Sequence, residues 1–197
     1  SISSHKKHAV TDAPDQWGSF CRLGAVVFGR SIMYLGLNTF IVLYFMNHFH
    51  ESQNFSNLLL SVYYGIGALF TLIGGKLGDK HGYRTFVRFG FLLAFPAARI
   101  PAWTDSSILG ILCLIVLGAA LNLTYSPMVV LGQQYLPNHV GLASGITLGL
   151  AVSVGGITAP LLGKVGDMYG LETTFYVIAL ITLIPLISSF TLPKPKK

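Results

Sequence analysis

Between Asp105 and Lys164 the chain carries no Asp, Glu, Lys or Arg. A run that long cannot be the solvated shell of a globular domain in water. Soluble domains carry about 25% charged residues, whereas this chain has 10%, with 52% hydrophobic residues over 197 positions. The uncharged stretch must sit in lipid, or inside a bundle that sits in lipid.

Lipid offers the backbone no hydrogen-bond partners, so a chain crosses it as helices of roughly 20 apolar residues. Six segments fit, at about 20–49, 54–75, 85–103, 106–136, 140–162 and 173–192. Short connections rich in Gly, Pro and polar residues separate them: Gly78 to Gly82, Trp103 to Asp105, Leu136 to His139, and Gly166 to Gly170. The expected fold class is therefore an all-α membrane protein of six transmembrane helices. The expected division is a polar cytoplasmic linker (1–17), a six-helix transmembrane domain (18–192) and a basic cytoplasmic tail (193–197). The polar start at Ser1 is no signal peptide and reads as an internal linker, so the chain is expected to be a domain cut from something longer.

Charge supplies orientation. The formal net charge is +6, but no basic stripe with aromatic partners exists, which argues against nucleic acid. One side collects Lys6, Lys7, Lys76, Lys80, Arg84, Arg88, Lys194, Lys196 and Lys197, whereas Arg99 and Lys164 fall on the other. Basic residues favour the cytoplasm, so both termini are expected there, with the chain in the cell (inner) membrane. Cys21 and Cys113 are too isolated for a disulfide or metal site and read as small buried hydrophobes. His48 and His50 flank an outer loop and read as solvated.

One repeat is visible. Gly75-Lys76-Leu77-Gly78-Asp79 runs on to Gly82, and Gly163-Lys164-Val165-Gly166-Asp167 runs on to Gly170. Each copy follows the middle helix of a triplet. Three is odd, so the copies face opposite membrane sides, the mark of an inverted 3+3 repeat.

The stretch Gly75-Lys76-Leu77-Gly78-Asp79-Lys80-His81-Gly82-Tyr83-Arg84 resembles the G-x-x-x-D-(R/K)-x-G-(R/K)-(R/K) loop of the major facilitator superfamily. Gly75, Asp79, Lys80, Gly82 and Arg84 match, whereas Tyr83 stands where the family usually has a basic residue. Gly75 and Gly78 allow close helix approach, Gly82 permits a turn with φ > 0, and Asp79 is expected to accept hydrogen bonds at a helix N-terminus. The stretches Val130 to Gly145 and Gly149 to Gly156 look like the C-terminal half of bacterial fosmidomycin resistance proteins. Relatives often carry an acid where Gln134 stands. This resemblance implies half of a twelve-span transporter whose N-terminal half is the missing partner. It also implies a conformational role for the loop and proton-driven export of a small anionic compound such as fosmidomycin.

Ionisable groups within the membrane are costly and default to functional hypotheses. Arg30 lies about ten residues into the first helix, with Tyr34 and Asn38 following on its face at four-residue spacing. Asn122, Tyr125 and Ser126 form a second polar cluster in the fourth helix. In the family these two helices line the central cavity, so Arg30 is expected to bind an anionic substrate group, oriented by Asn122 and Tyr125. A guanidinium matches phosphonate oxygens bidentately. The alternative is that Arg30 snorkels to the surface. Asp79, Asp105, Asp167, Glu51 and Glu172 all fall in loops or at helix ends, so the main proton site is expected in the other half. Gly141, Gly145, Gly149 and Ser153, four apart, form a small-residue helix-packing stripe.

No nucleophile–base pair, metal cluster, cofactor motif or phosphate-binding loop stands out, so neither an enzyme nor an ATP-driven pump is expected. The expected partners are the lipid bilayer, a small-molecule substrate and protons. Two other readings remain open: an uptake transporter for a sugar, nucleoside or organic anion, and a non-transporting half-protein or interaction partner.

Overall fold

The computed structural model describes residues 13–103 and 106–195. Its helices are α1 (Trp17–Asn47), α2 (Gln53–His81), α3 (Tyr83–Trp103), α4 (Ser107–Leu123), α5 (Tyr125–Tyr135), α6 (Val140–Tyr169), α7 (Leu171–Ile181) and α8 (Leu183–Phe190). No strand occurs among the described residues. Helices α4 and α5 form one broken rod, as do α7 and α8, so the six expected spans are present as six rods. Five are long and apolar enough to cross a membrane. The sixth, α3, is 21 residues long and is diluted by Arg84, Arg88 and Arg99.

The rods extend beyond the expected spans. Helix α2 continues to His81 and α6 to Tyr169, so the charged stretches expected as loops are the final helical turns. Polar turns need water, not a loop. The joints shrink to single glycines at matching places in the repeat. Gly82 (φ 90°) donates to the Gly78 carbonyl at 3.0 Å, and Gly170 (φ 93°) donates to the Gly166 carbonyl at 2.8 Å. Positive φ strains any residue with a Cβ, which accounts for Gly at both positions. Alternation of the rods puts these joints at opposite ends of the bundle.

Helix α1 is the central rod. Leu23, Val26, Arg30, Met33, Leu37, Ile41 and Tyr44 recur every three or four residues and are all buried, as one helix face requires. The apolar members of this series join a core that includes Val87 and Phe91 of α3, Leu117 and Leu121 of α4, and Met128 and Leu131 of α5. By contrast, only 17% of the apolar window of α2, and the same share of α6, is buried in the chain, against 61% for α1. Leu69, Leu72, Val152, Ile157 and Leu161 stand exposed. An apolar surface that extensive needs lipid or a protein partner.

Polar contacts tie the bundle ends. On the face holding the start of α1, His139 Nδ1 meets Asp15 Oδ2 at 2.6 Å. Three arginines cap the end of α8: Arg88 donates to the carbonyls of Ser189, Phe190 and Leu192 at 2.8–3.0 Å, Arg84 to Leu192 at 3.3 Å, and Arg22 to Thr191 at 3.1 Å. Cations suit a helix C-terminus, where carbonyls lack partners. On the opposite face His48 Nδ1 meets Glu172 Oε1 at 2.6 Å and stacks on Tyr44. This corrects the reading of His48 as merely solvated: a partner from a distant segment engages it. Cys113 is buried as expected, whereas Cys21 is exposed, because it lies on the side of α1 away from the core stripe. The linker and tail residues 1–12, 196 and 197, and the turn residues Thr104 and Asp105, lie outside the described residues.

Candidate functional site

The two broken rods are broken by the same chemistry. Pro127 has no N–H for the carbonyl of Leu123, and Pro185 has none for that of Ile181. Each helix yields one turn earlier, at Thr124 and Thr182. The α4–α5 break lies at mid-depth beside α1, and there the polar residues gather.

Arg30 of α1 is only 4% exposed, so it does not snorkel. Its Nε donates to the Leu121 carbonyl at 3.0 Å, near the broken end of α4. The Tyr34 and Tyr125 rings lie 5.0 and 4.8 Å from the guanidinium carbon. A helix C-terminus carries partial negative charge, and ring faces attract cations. No carboxylate pairs with Arg30 among the described residues. The charge is thus held in the bundle by dipoles and ring faces, with binding capacity left over.

Arg30 lines a cavity of about 340 Å³ with Tyr34, Leu35, Thr71, Asn122, Tyr125, Ala151 and Val152. Its walls come from α1, α2, α4, α5 and α6. Asn122 is fixed from both ends: its amide donates to the Gly118 carbonyl at 2.8 Å, and its oxygen accepts from Thr71 at 3.3 Å. The chemistry offered is one cation, neutral hydrogen-bonding groups and aromatic faces, which suits a small anion with a polar body.

Four of the five residues expected to bind substrate therefore meet in one place: Arg30, Tyr34, Asn122 and Tyr125. Asn38 does not join the lining; it lies two turns from Arg30, and its oxygen is buried without a hydrogen-bond partner. Thr71 was missed by sequence reasoning. Its signal was a hydroxyl in an apolar helix one turn from Gly67; its single proton is shared between the Gly67 carbonyl at 2.9 Å and Asn122 Oδ1 at 3.3 Å. Tyr63, buried with an unpartnered hydroxyl, lies outside the cavity lining.

The conformational-loop residues fall at the α2–α3 joint. Gly78 is buried against Tyr83 and Pro127, Gly75 faces Ser126, and Gly82 takes the positive φ expected of it. Lys80 is exposed and Arg84 caps α8. The expectation for Asp79 needs correction. It sits in the last turn of α2 rather than at a helix N-terminus, and its carboxylate accepts from the Tyr83 hydroxyl. Because α2 runs on to His81, the dipole there offers an anion nothing, and the residue that departs from the family pattern supplies the partner. The stripe Gly141, Gly145, Gly149 and Ser153 is exposed, and a side chain added at any of its three glycines would meet nothing in this chain within 4 Å.

Comparison with known proteins agrees with this architecture. The chain is 32% identical over 161 residues to the uncharacterized MFS-type transporter YfnC of Bacillus subtilis (strain 168), covering 82% of this chain and 39% of that protein. It is 28% identical over 166 residues to the fosmidomycin resistance protein of Escherichia coli (strain K12), covering 84% and 40%. The chain thus spans about two fifths of the length of these curated relatives. A crystal structure of the peptide transporter POT in complex with sulfate shares the fold, with a TM-score of 0.80 at 17% identity over 97% of this chain and 41% of that one. These relatives are transporters rather than enzymes. The Major Facilitator Superfamily model matches residues 23–197, from early α1 to the end of the chain, and with a six-rod bundle that overlays part of a solved transporter this protein belongs to that superfamily.

Proposed function

We propose that this chain is the substrate-binding C-terminal half of a transporter that exports a small oxyanion, such as the phosphonate fosmidomycin, in exchange for protons. The observation that carries the reading is Arg30, a buried cation lining a 340 Å³ cavity without a carboxylate partner. A guanidinium binds phosphonate or carboxylate oxygens through paired N–H groups. Asn122, Thr71, Tyr34 and Tyr125 orient the rest of the molecule. Likeness to the fosmidomycin resistance protein supports the phosphonate class.

Among the described residues the cavity is lined by no Asp or Glu, which supports a proton-binding carboxylate in the other half. That half packs on the outward faces of α2 and α6, where the Gly141, Gly145, Gly149 and Ser153 stripe permits close approach. The bias of basic residues supports a reading with both termini in the cytoplasm, residues 1–17 as linker and 193–197 as tail. The α2–α3 joint around Asp79 and Tyr83 then holds one conformation of the cycle at the inner surface.

The test is fosmidomycin susceptibility in a sensitive bacterium expressing the full-length gene that carries this sequence, against empty vector. Raised resistance that a protonophore abolishes is the expected result. Unchanged susceptibility, with the protein present in the membrane, would overturn the phosphonate reading.

A further inference from the structure

The Leu121 carbonyl receives two donors, Arg30 Nε at 3.0 Å and the Thr124 hydroxyl at 3.0 Å. A carbonyl oxygen has two lone pairs, so both are in use. One donor comes from the cation that lines the cavity; the other comes from the residue at which the rod breaks. No other acceptor takes Arg30 N–H groups among the described residues. Thr124 is fully buried, and its own N–H reaches the carbonyls of Ala120 and Asn122. Asn122 is itself part of the cavity wall. The cavity and the break therefore share atoms.

We propose that Thr124 is a positioning residue for the anion site, and that the Leu121 carbonyl is the anchor Arg30 gives up when an oxyanion enters. This rests on reading the cavity as an oxyanion site. An oxyanion gripped side-on uses Nε together with a terminal N–H, so it competes with the carbonyl for Nε. The charged acceptor wins, because charge-assisted hydrogen bonds are roughly twice as strong as neutral ones. Once Arg30 leaves, Thr124 is the remaining side-chain donor to that carbonyl and keeps it from being stranded in the bundle. The end of α4 loses its cationic cap, and the bend between α4 and α5 changes. Binding and a change of rod shape become one event, as a ligand that shifts a conformational equilibrium requires.

The experiment uses the full-length protein in detergent or nanodiscs, with spin labels at Ile108 and Gln134, on α4 and α5. Fosmidomycin is the probe. In the wild type, saturating fosmidomycin is expected to shift the interlabel distance distribution. In Arg30→Ala the distribution is expected to lie near the bound one with no ligand present, because the carbonyl has already lost its cation. Thr124→Val is expected to bind fosmidomycin roughly 5- to 100-fold more weakly, since the bound state then strands the Leu121 carbonyl. Thr124→Ser, which keeps the hydroxyl, is expected to restore binding to within about threefold of wild type.

A ligand-free Arg30→Ala protein with the wild-type distribution would overturn the coupling, whatever its affinity. Equal affinities for Thr124→Val and Thr124→Ser would overturn the role of the hydroxyl. A shifted Arg30→Ala distribution, with no fosmidomycin binding to wild type, would support the coupling and overturn the phosphonate reading instead. Should Arg30→Ala fail to fold, Arg30→Lys serves the same purpose, because an ammonium lacks the Nε fork.

Discussion

The α4–α5 and α7–α8 rods break at the same four-residue pattern, Thr124-Tyr125-Ser126-Pro127 and Thr182-Leu183-Ile184-Pro185. Each threonine hydroxyl returns to a preceding carbonyl at 3.0 Å, Leu121 in one case and Ile178 in the other. Each threonine N–H reaches the carbonyls four and two residues back. The surroundings differ. Beside the first break stand Arg30, Asn122 and a cavity. Beside the second, α1 presents Gly29, where an added Cβ would lie 2.5 Å from the Pro185 ring. A proline and a threonine dictate that a helix bends. Whether the bend borders a polar cavity depends on what the neighbouring helix places against it, a charge in one case and a bare backbone in the other.

Five changes would break or sharpen that contrast. The largest effect is expected from Arg30→Ala, which should weaken fosmidomycin binding by roughly 10- to 100-fold, the worth of a hydrogen bond to a charged group. Calorimetric titration of the full-length protein would measure it, and an unchanged affinity would remove the charge from the first break's function. Next come the glycines beside the breaks. Gly74→Ala would set a Cβ 2.4 Å from the Leu123 carbonyl oxygen, a backbone atom with little room to move. Both Gly74→Ala and Gly29→Ala are expected to cost about 1–3 kcal/mol from overpacking, read as lowered thermal midpoints in detergent. Only Gly74→Ala should also weaken fosmidomycin binding; an equal loss in Gly29→Ala would mean the two breaks are not separate in function.

Thr182→Val should cost about 1 kcal/mol, one buried hydrogen bond, while leaving fosmidomycin affinity within twofold. A drop like that expected for Thr124→Val would show that the second break communicates with the cavity. The smallest effect belongs to Gly149→Ala. Nothing in this chain crowds the position, and Ala is the better helix former by about 1 kcal/mol, so the thermal midpoint of this half should hold or rise slightly. Transport by the full-length protein should fall if a second half packs there, and normal transport flux would take the stripe out of that interface.

Much of the site was legible in the sequence because lipid makes polar residues conspicuous. Arg30, Tyr34, Asn122 and Tyr125 stand out against apolar helices and do converge. Asn38 shares the helical spacing of Arg30 and Tyr34, yet the cavity ends before it, since spacing fixes a helix face but not how far along it the neighbours open. Thr71 carries no charge and contributes one hydroxyl, so only its place opposite Asn122 marks it. Asp79 is expected at a helix start because Gly78 to Gly82 read as a loop between helices, but α2 runs on to His81 and ends at Gly82. The partnership of His48 with Glu172 joins residues 124 positions apart, beyond the reach of any local pattern.

The sequence by itself determined the solvent, the number of rods and the inverted repeat, because hydropathy over some twenty residues is dictated by lipid and a glycine at a positive-φ joint acts locally. Tertiary structure alone decided that Arg30 turns inward to the Leu121 carbonyl rather than out to the surface. It also decided that the Gly141, Gly145 and Gly149 stripe faces away from its own bundle. Both are matters of how rods rotate about their axes, and that rotation is set by packing among all six helices at once.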